Sequence, residues 1–155
     1  MTATIRGNHP RVAIVGGGLG GLAAALALHQ AGIEAPVFEM AGARREVGAG
    51  IVVPPNMVHV LARLGLAEAL PRFAVRLEAA WEFRRWDDGR VLFVQEMGQA
   101  CVQRYGQPCY VAHRADLLAL LQDALPEGLL HLGRRCTAMG QDADGVTLAF
   151  TDAAG

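Results

Sequence analysis

Three glycines and one acidic residue carry the clearest chemical signal in the sequence. Gly16, Gly18 and Gly21 follow a short apolar run, RVAIV, with the spacing G-x-G-x-x-G. The first glycine of such a loop permits a tight turn, the second lets the backbone approach a pyrophosphate, and the third lets a helix pack closely on a strand. Glu39 ends the next apolar segment, where a carboxylate accepts hydrogen bonds from a ribose hydroxyl. The pattern predicts a site for an adenine dinucleotide.

The segments around these residues predict the elements that position them. RVAIV is typical of a buried parallel strand, LAAALALHQA of a helix that Gly32 ends, and EAPVFE of a second strand. The N-terminus of the helix would present N–H groups and a partial positive charge to the pyrophosphate. Gly20 and Met40, which adjoin the third glycine and the acid, belong to the same predicted cofactor-binding set. The alternative is a glycine-rich turn that binds nothing.

A membrane span or a secretion signal is a competing interpretation of this segment. Residues 12–28 carry no charge and follow Arg6 and Arg11, and a spanning helix needs about 20 mostly apolar residues. However, five of the six residues from 16 to 21 are glycines, and each glycine costs a helix interior roughly 1 kcal/mol relative to alanine. Because the cluster would break such a helix, we expect neither a membrane role nor a signal.

The overall composition argues against several other classes of protein. Of the 155 residues 52% are hydrophobic, which suffices for a core, and the formal net charge of −1 gives no electrostatic basis for binding nucleic acid. Cys101, Cys109 and Cys136 form no metal motif. Reduced thiols are typical of a cytoplasmic protein. We therefore expect no metal site and a cytoplasmic location, with a homodimer as one option for assembly.

Two further helices are predicted downstream. Pro54 and Pro55 end an extended run, and Asn56 is a good helix cap. An apolar face at helical spacing then comprises Met57, Val60, Leu61 and Leu64. The second helix begins around HRADL, and its leucines at core spacing are Leu117, Leu118, Leu121 and Leu125. Pro126 and Gly128 end it.

Two β-hairpins are predicted from their turn signals. Residues 77–95 alternate in β-rich fashion around Asp87-Asp88-Gly89, which would place Trp81, Phe83 and Phe93 on one side. The segment that ends the chain predicts strands joined by a turn at Asp144-Gly145. Since the sequence stops at Gly155 in what resembles another turn, we expect it to end in the middle of a fold.

Three motifs in this order resemble those of the class A flavoprotein monooxygenases, and most of all the salicylate and 6-hydroxynicotinate hydroxylase branch. They are VAIVGGGLGGLAAALALHQAGIEAPVFE, EVGAGIVVPPN…LARLGL and HRADLLALL, and the resemblance covers about residues 11–150. It implies an α/β, Rossmann-like FAD/NAD(P)-binding fold with a parallel sheet. An antiparallel segment of a substrate domain would interrupt this fold, and the C-terminus would be truncated.

The resemblance divides the chain into four segments. Residues 1–10 would be a disordered lead, and residues 11–75 the first part of the FAD-binding domain. Residues 76–112 would be a β segment of the substrate domain, and residues 113–155 the second, incomplete part of the FAD-binding domain.

The resemblance also implies an activity and roles for particular residues. NAD(P)H would reduce FAD, O2 would add to the flavin, and a small aromatic substrate of the hydroxybenzoate or hydroxypyridine type would be hydroxylated. The loop glycines would hold the FAD pyrophosphate and Glu39 the adenosine ribose. The backbone from Gly50 to Val52 would pass near the isoalloxazine or ribityl end, and Arg114 would reach the ribityl–pyrophosphate region. For Arg114 the alternative is a surface salt bridge.

Departures from the family pattern leave other interpretations open. Val52 stands where some hydroxynicotinate-type members have a histidine, so the catalytic base is unassigned. His113 is more simply explained as a structural residue. Two later FAD motifs of the family, Asp-Gly and Gly-Asp, are absent, because Asp88-Gly89 and Asp144-Gly145 are interpreted as hairpin turns. A different FAD- or NAD-dependent reductase or dehydrogenase, and an inactive truncated nucleotide-binding fragment, are the alternative functions.

Overall fold

The computed structural model describes residues 11–43 and 49–152. Within these ranges the strands are β1 (Ile14–Val15), β2 (Val37–Phe38), β3 (Gly50–Val53), β4 (Val75–Arg76), β5 (Ala80–Arg84), β6 (Val91–Glu96), β7 (Tyr110–His113), β8 (Leu130–His131), β9 (Arg134–Gln141) and β10 (Val146–Asp152). The helices are α1 (Leu19–Gln30), α2 (Pro55–Arg63), α3 (Gly98–Tyr105) and α4 (Arg114–Ala124), with a 3₁₀ helix at Ala67–Arg72. The predicted lead at 1–10, the first residues of the motif EVGAGIVVPPN and the final turn lie outside the described residues.

The chain divides into two compact units. The first unit combines Met1–Glu46 with Leu118–Gly155, and the second unit is the continuous stretch Val47–Leu117. The division falls within α4, so the ends of that helix are assigned to different units. This division is a structural observation, and the four segments named above remain a prediction.

A parallel sheet in the first unit confirms the predicted strand–loop–helix–strand order. Its strands lie in the order β1-β2-β8, and both pairs of neighbours are parallel. Val37, at the centre of this sheet, is fully buried, and so is Leu22 of α1. The strands are only two residues long, shorter than the apolar runs that predicted them.

The helix that follows the glycine loop is also confirmed. Gly18 caps α1 at its start, and Gly32 follows its end with a φ of +79°, a left-handed conformation that favours glycine. Among the described residues, no helix is both long enough and apolar enough to cross a membrane. Leu121 and Leu125, in the same unit, are both buried as their spacing predicted.

The hairpin predicted around Asp144-Gly145 is confirmed as β9 and β10. The Asp142 side chain closes its turn by accepting hydrogen bonds from the backbone N–H groups of Asp144 and Gly145. Phe150 of β10 packs on Phe38 of β2 with ring centroids 4.4 Å apart. This aromatic contact packs the hairpin onto the residues at the end of β2.

The second unit contains an antiparallel sheet and a separate hairpin. The sheet has the strand order β3-β7-β4, and β5 pairs with β6. The predicted aromatic face on that hairpin is confirmed, because the ring centroids of Phe83 lie 6.4 Å from Trp81 and 5.9 Å from Phe93. All residues of β5 and β6 are exposed.

The predicted cap of α2 is wrong by two residues. Pro54 is the N-cap, Pro55 is the first helical residue, and no side chain makes a capping hydrogen bond. Proline suits the first helical position because its φ is already fixed near the helical value and its missing N–H has no helical partner there. The buried face is also displaced: Val58 and Leu61 are buried, whereas Val60 is 47% exposed.

Helix α3 lies within the segment that the sequence predicted to be β-structure. Met97 and Cys101 pack with Cys109 into a small buried cluster. At Gly98 an added Cβ would lie 2.3 Å from the carbonyl oxygen of Glu78, so only glycine fits there. The periodicity did not reveal this helix, because apolar spacing does not distinguish a helix from a strand over only eight residues.

Candidate functional site

The glycine loop begins directly after β1 and ends in the first turn of α1. Gly16 has a φ of +108°, and its N–H donates to the carbonyl of Phe38 across 2.8 Å. Gly18 has an extended backbone and no side-chain cap, and the first turn of α1 contains no acidic residue. Among the described residues, no side chain caps the N–H groups of this turn, and an anion satisfies such groups.

The structure separates the roles of the loop glycines. A Cβ at Gly21 would lie 2.0 Å from the carbonyl oxygen of Gly16, so this glycine is required for close packing of α1 on the loop. A Cβ at Gly18 or Gly20 would meet nothing within 4 Å. The space beside Gly18 leaves its backbone open, and its role at a pyrophosphate stays a prediction.

Glu39 is bound to the loop by hydrogen bonds. Its Oε2 accepts from the N–H of Gly17 at 2.7 Å, and its Oε1 accepts from the N–H of Ala41 at 2.8 Å. Its backbone is fixed as well, because Glu39 N–H donates to the carbonyl of His131 at 2.9 Å. The carboxylate is partly buried beside the loop, where the sequence placed a ribose-binding acid.

A cavity of about 230 Å³ lies beside these residues in the first unit. Its lining comprises Val15, Gly16, Phe38, Glu39, Met40, Arg134, Arg135 and Cys136. The volume is below the range of roughly 300–1,000 Å³ for sites that enclose a whole drug-sized ligand, so the cavity is too small to enclose a whole dinucleotide. A larger cleft of about 410 Å³, at the end of α4, contains none of the predicted site residues.

Arg134, Arg135 and Cys136 were missed by the sequence analysis. They reach the cavity because the chain after β8 pairs with the chain after β2: the N–H of Arg134 donates to Glu39 O at 2.8 Å, and that of Gly133 donates to Ala41 O at 2.9 Å. Arg134 also forms an ion pair with Asp152. The sequence signal that could have pointed to them is the motif RRC, which starts the predicted C-terminal hairpin shortly after β8, the third strand of the parallel sheet.

The other predicted site residues lie in the second unit. Gly50 pairs with His113, and Val52 pairs with Val111. Arg114 is the first residue of α4, directly after β7, and its backbone N–H donates to the carbonyl of Ala49 at 3.3 Å. The start of β3 and the start of α4 are therefore neighbours. Within the part of the chain that the structure describes, Arg114 forms no ion pair.

The side chain of Val52 has a packing role. It packs against the buried cluster of Met97, Cys101 and Cys109. Burial raises the pKa of the Cys109 thiol, and the neighbouring Cys101 adds to this effect. Among the described residues, no group of three or more His, Cys, Asp or Glu side chains is arranged to hold a metal.

Comparison with protein families shows which family the chain belongs to. A family model described as "FAD binding domain" matches residues 10–155. The chain belongs to this family. The resemblance to flavoproteins, drawn from the glycine loop, the EVGAGIVVPPN segment and the HRADL motif, is thus confirmed, and the mixed α/β fold is that of an FAD binding domain.

Named relatives of this FAD binding domain are aromatic monooxygenases. It is 48% identical to 3-amino-4-hydroxybenzoate 2-monooxygenase PtmB3 of Streptomyces platensis, over 96% of this chain and 37% of that protein. It is 37% identical to 6-hydroxynicotinate 3-monooxygenase of Bordetella bronchiseptica, over 92% of this chain and 37% of that protein. The chain therefore spans just over a third of the length of these relatives.

A solved structure shares the fold. Klebsiella pneumoniae HpxO complexed with FAD and uric acid superposes with a TM-score of 0.77 and 30% identity, covering 93% of this chain and 36% of that chain. The individual cofactor contacts predicted for this chain remain predictions.

Proposed function

We propose that this chain binds FAD and forms the N-terminal part of a monooxygenase that uses NAD(P)H and O2 to hydroxylate a small aromatic compound. The observation that carries the proposal is the arrangement of the glycine loop, Glu39 and the adjoining cavity in an FAD binding domain. Bound FAD supplies the redox chemistry, and the residues of the chain bind and orient it. Hydroxybenzoates and hydroxypyridines are the proposed substrate class, after the names of the relatives.

The loop fits a pyrophosphate. Only at Gly21 would a side chain collide with the loop backbone, whereas Gly18 leaves an open approach. The helix dipole of α1 and the uncapped N–H groups of its first turn favour a negative charge at that point. Gly16, Gly18, Gly20 and Gly21 would thus line the phosphate-binding part of the site.

The cavity beside Glu39 fits the adenosine end. Each carboxylate oxygen accepts one backbone hydrogen bond and retains a lone pair for a ribose hydroxyl. Phe38 and Met40 supply apolar walls, while Arg134 and Arg135 bring positive charge to the same cavity. Polar groups that fix orientation within an apolar lining are typical of cofactor sites.

The second unit is proposed to serve the flavin and substrate end. The backbone of Gly50–Val52 and the Arg114 side chain are the candidates for the ribityl chain, and the exposed aromatic hairpin β5–β6 for the substrate domain. No catalytic base is assigned, because valine at position 52 has no titratable group.

Titration calorimetry with FAD, ADP and FMN tests the binding site. FMN lacks the adenosine that the cavity and Glu39 would hold, so we expect FAD and ADP to bind competitively and FMN to bind much more weakly. NAD⁺ should be displaced by FAD. Equal affinity for FMN and FAD would refute the adenosine site, and tighter binding of NAD⁺ than of FAD would favour a dehydrogenase.

A chimaera tests the proposed activity. This chain would replace the matching N-terminal third of the Streptomyces platensis PtmB3 monooxygenase, with which it shares 48% identity. We expect the chimaera to retain FAD and to hydroxylate 3-amino-4-hydroxybenzoate with NAD(P)H, measured as product together with oxygen uptake. A folded, FAD-loaded chimaera that forms no product would contradict the proposed activity.

A further inference from the structure

The two hydrogen bonds of the Glu39 carboxylate join separate segments of the backbone. One partner is Gly17 in the loop, 22 residues away in the sequence, and the other is Ala41 in the turn after β2. We refer to this pair of hydrogen bonds as the Glu39 bridge. Hydrogen bonds from N–H groups to a charged acceptor are the stronger kind, so the bridge is strong enough to influence the loop conformation.

Gly17 is shaped for this contact although the G-x-G-x-x-G pattern leaves its position unspecified. A Cβ at Gly17 would lie 2.9 Å from Glu39 Cβ and 3.2 Å from its Cγ. Real Cβ atoms essentially never approach that closely, so a side chain at position 17 would push Glu39 away. The absence of a side chain is therefore what lets the carboxylate reach the Gly17 N–H.

We propose that Glu39 is a positioning residue for the glycine loop, in addition to being the candidate ligand of the ribose. Its carboxylate fixes the loop through Gly17 and the following turn through Ala41. This inference rests on the proposed FAD-binding function. It predicts that part of the effect of Glu39 on nucleotide affinity persists when the nucleotide has no ribose hydroxyls.

Nucleotides with and without these hydroxyls separate the two roles. Glutamine has the shape of glutamate but only one carbonyl oxygen, so Glu39→Gln retains at most one hydrogen bond of the bridge. We expect this variant to bind 2′,3′-dideoxy-ADP about tenfold more weakly than the wild-type chain does, as the loss of one charge-assisted hydrogen bond implies. The matched control is Glu34→Gln. Glu34 is exposed and lies on the connection before β2, so this substitution should change the affinity neither for ADP nor for 2′,3′-dideoxy-ADP.

Equal affinity of the wild-type chain and Glu39→Gln for the dideoxy nucleotide, with weakened binding of ADP, would overturn the positioning role and leave the ribose role and the proposed function intact. A wild-type chain that binds neither ADP nor FAD would instead refute the proposed function. Amide hydrogen exchange, measured by NMR without nucleotide, then tests the bridge directly. Exchange at Gly17 and Ala41 should accelerate in Glu39→Gln, and unchanged exchange at both would overturn the inference.

A second variant changes the donor residue of the Glu39 bridge, Gly17, instead of the acceptor. Gly17→Val would occupy the space of the Glu39 side chain, and we expect at least a tenfold loss of ADP affinity. Gly140→Val is its control, because Gly140 lies on an exposed strand where an added Cβ meets nothing within 4 Å. Unchanged ADP affinity in Gly17→Val would contradict the proposal. If Gly17→Val does not fold, the exchange measurement on Glu39→Gln decides.

Discussion

At the residue scale, the glycine loop combines positions with opposite constraints. Gly21 lies against backbone, whereas Gly18 lies beside open space that the proposed ligand would fill. Substitutions at the two positions should therefore fail for different reasons. This contrast separates the folding role of the motif from its binding role, which the sequence pattern by itself does not do.

Gly18→Val should abolish FAD binding and leave the fold largely intact. The branched side chain would occupy the space through which the pyrophosphate approaches. Because Gly18 is the N-cap of α1 and valine is a poor cap, a loss of about 1 kcal/mol in the free energy of unfolding is expected. Flavin absorbance of the purified variant and urea denaturation measure the two effects. A variant that remains fully yellow would show that the loop has been misinterpreted.

Gly21→Ala should act mainly on stability. Its Cβ would lie 2.0 Å from the carbonyl oxygen of Gly16, so α1 or the loop must move. Inserting one carbon into a packed site costs about 1–3 kcal/mol. Urea denaturation should show this loss in the absence of nucleotide, and a midpoint equal to that of the wild-type chain would contradict the packing role of Gly21.

The three cysteines should differ in reactivity. Cys109 is fully buried, and burial, reinforced by Cys101, raises the pKa of its thiol. Cys136 is partly exposed and lines the proposed adenosine cavity. At pH 8, Ellman's reagent should therefore modify Cys136 first, and ADP should slow that reaction. Cys136→Ser, as the control, should lack the fast phase. Fast labelling of Cys109 in the native chain would contradict the assignment.

The raised pKa of Cys109 also predicts a pH dependence of stability. The folded chain keeps the Cys109 proton at pH values where the unfolded chain, whose thiol has a pKa of about 8.5, has lost it. The free energy of unfolding should be constant with respect to this group below that pKa and should fall as the pH rises above it. In Cys109→Ala, the free energy of unfolding should fall less steeply above this pKa than in the wild-type chain, whatever the effect of the substitution at pH 7. Urea denaturation at a series of pH values measures the difference.

At the element scale, a side-chain hydrogen bond joins two short helices of the second unit, α2 and α3. His59 of α2 donates from Nε2 to the carbonyl of Tyr105, the last residue of α3, at 2.7 Å. That carbonyl lacks a helical partner because α3 ends there, and Gly106 follows with a φ of +74°. The hydrogen bond therefore caps α3 at its C-terminus and links it to α2.

His59→Ala should lower the free energy of unfolding by about 0.5–1.5 kcal/mol, the value of one ordinary hydrogen bond. Urea denaturation measures the loss. The matched control is His29→Ala, an exposed histidine in the last turn of α1, which should change stability little. Equal effects of the two substitutions would show that the contact to Tyr105 contributes nothing.

At the scale of the whole molecule, the 155-residue chain alone should not hydroxylate an aromatic substrate. Hydroxylation requires a pocket that excludes water around the reacting flavin. In the described part of the second unit, the aromatic face of β5–β6 is open, with Trp81 44%, Phe83 52% and Phe93 55% exposed. Relatives are also far longer, since this chain spans 37% of the Streptomyces platensis enzyme.

The measurement combines FAD, NADH or NADPH and a panel of hydroxybenzoates, with oxygen uptake and product followed together. We expect no product that depends on the substrate, even if FAD binds. The loaded PtmB3 chimaera, assayed in parallel, controls for the quality of the substrates and of the flavin. Hydroxylation by the isolated chain at the rate of the chimaera would contradict this expectation.

The local elements of this protein could be predicted from its sequence. The strand–loop–helix–strand order, the burial of Leu121 and Leu125, and both hairpin turns follow from apolar periodicity and from residues with special backbone freedom. These signals depend on neighbours within about ten residues. Such short-range physics is encoded directly in the spacing of residue types, and so is the acid at the end of β2.

Only the tertiary structure decided which distant residues share the cavity and which glycine contacts Glu39. Arg134, Arg135 and Cys136 reach the site because the chain after β8 hydrogen-bonds to the chain after β2. The requirement for glycine at position 17 comes from a side chain 22 residues away. Pairing register and close approach depend on how separate segments pack, and residue spacing along one chain does not specify the distance between two atoms in space.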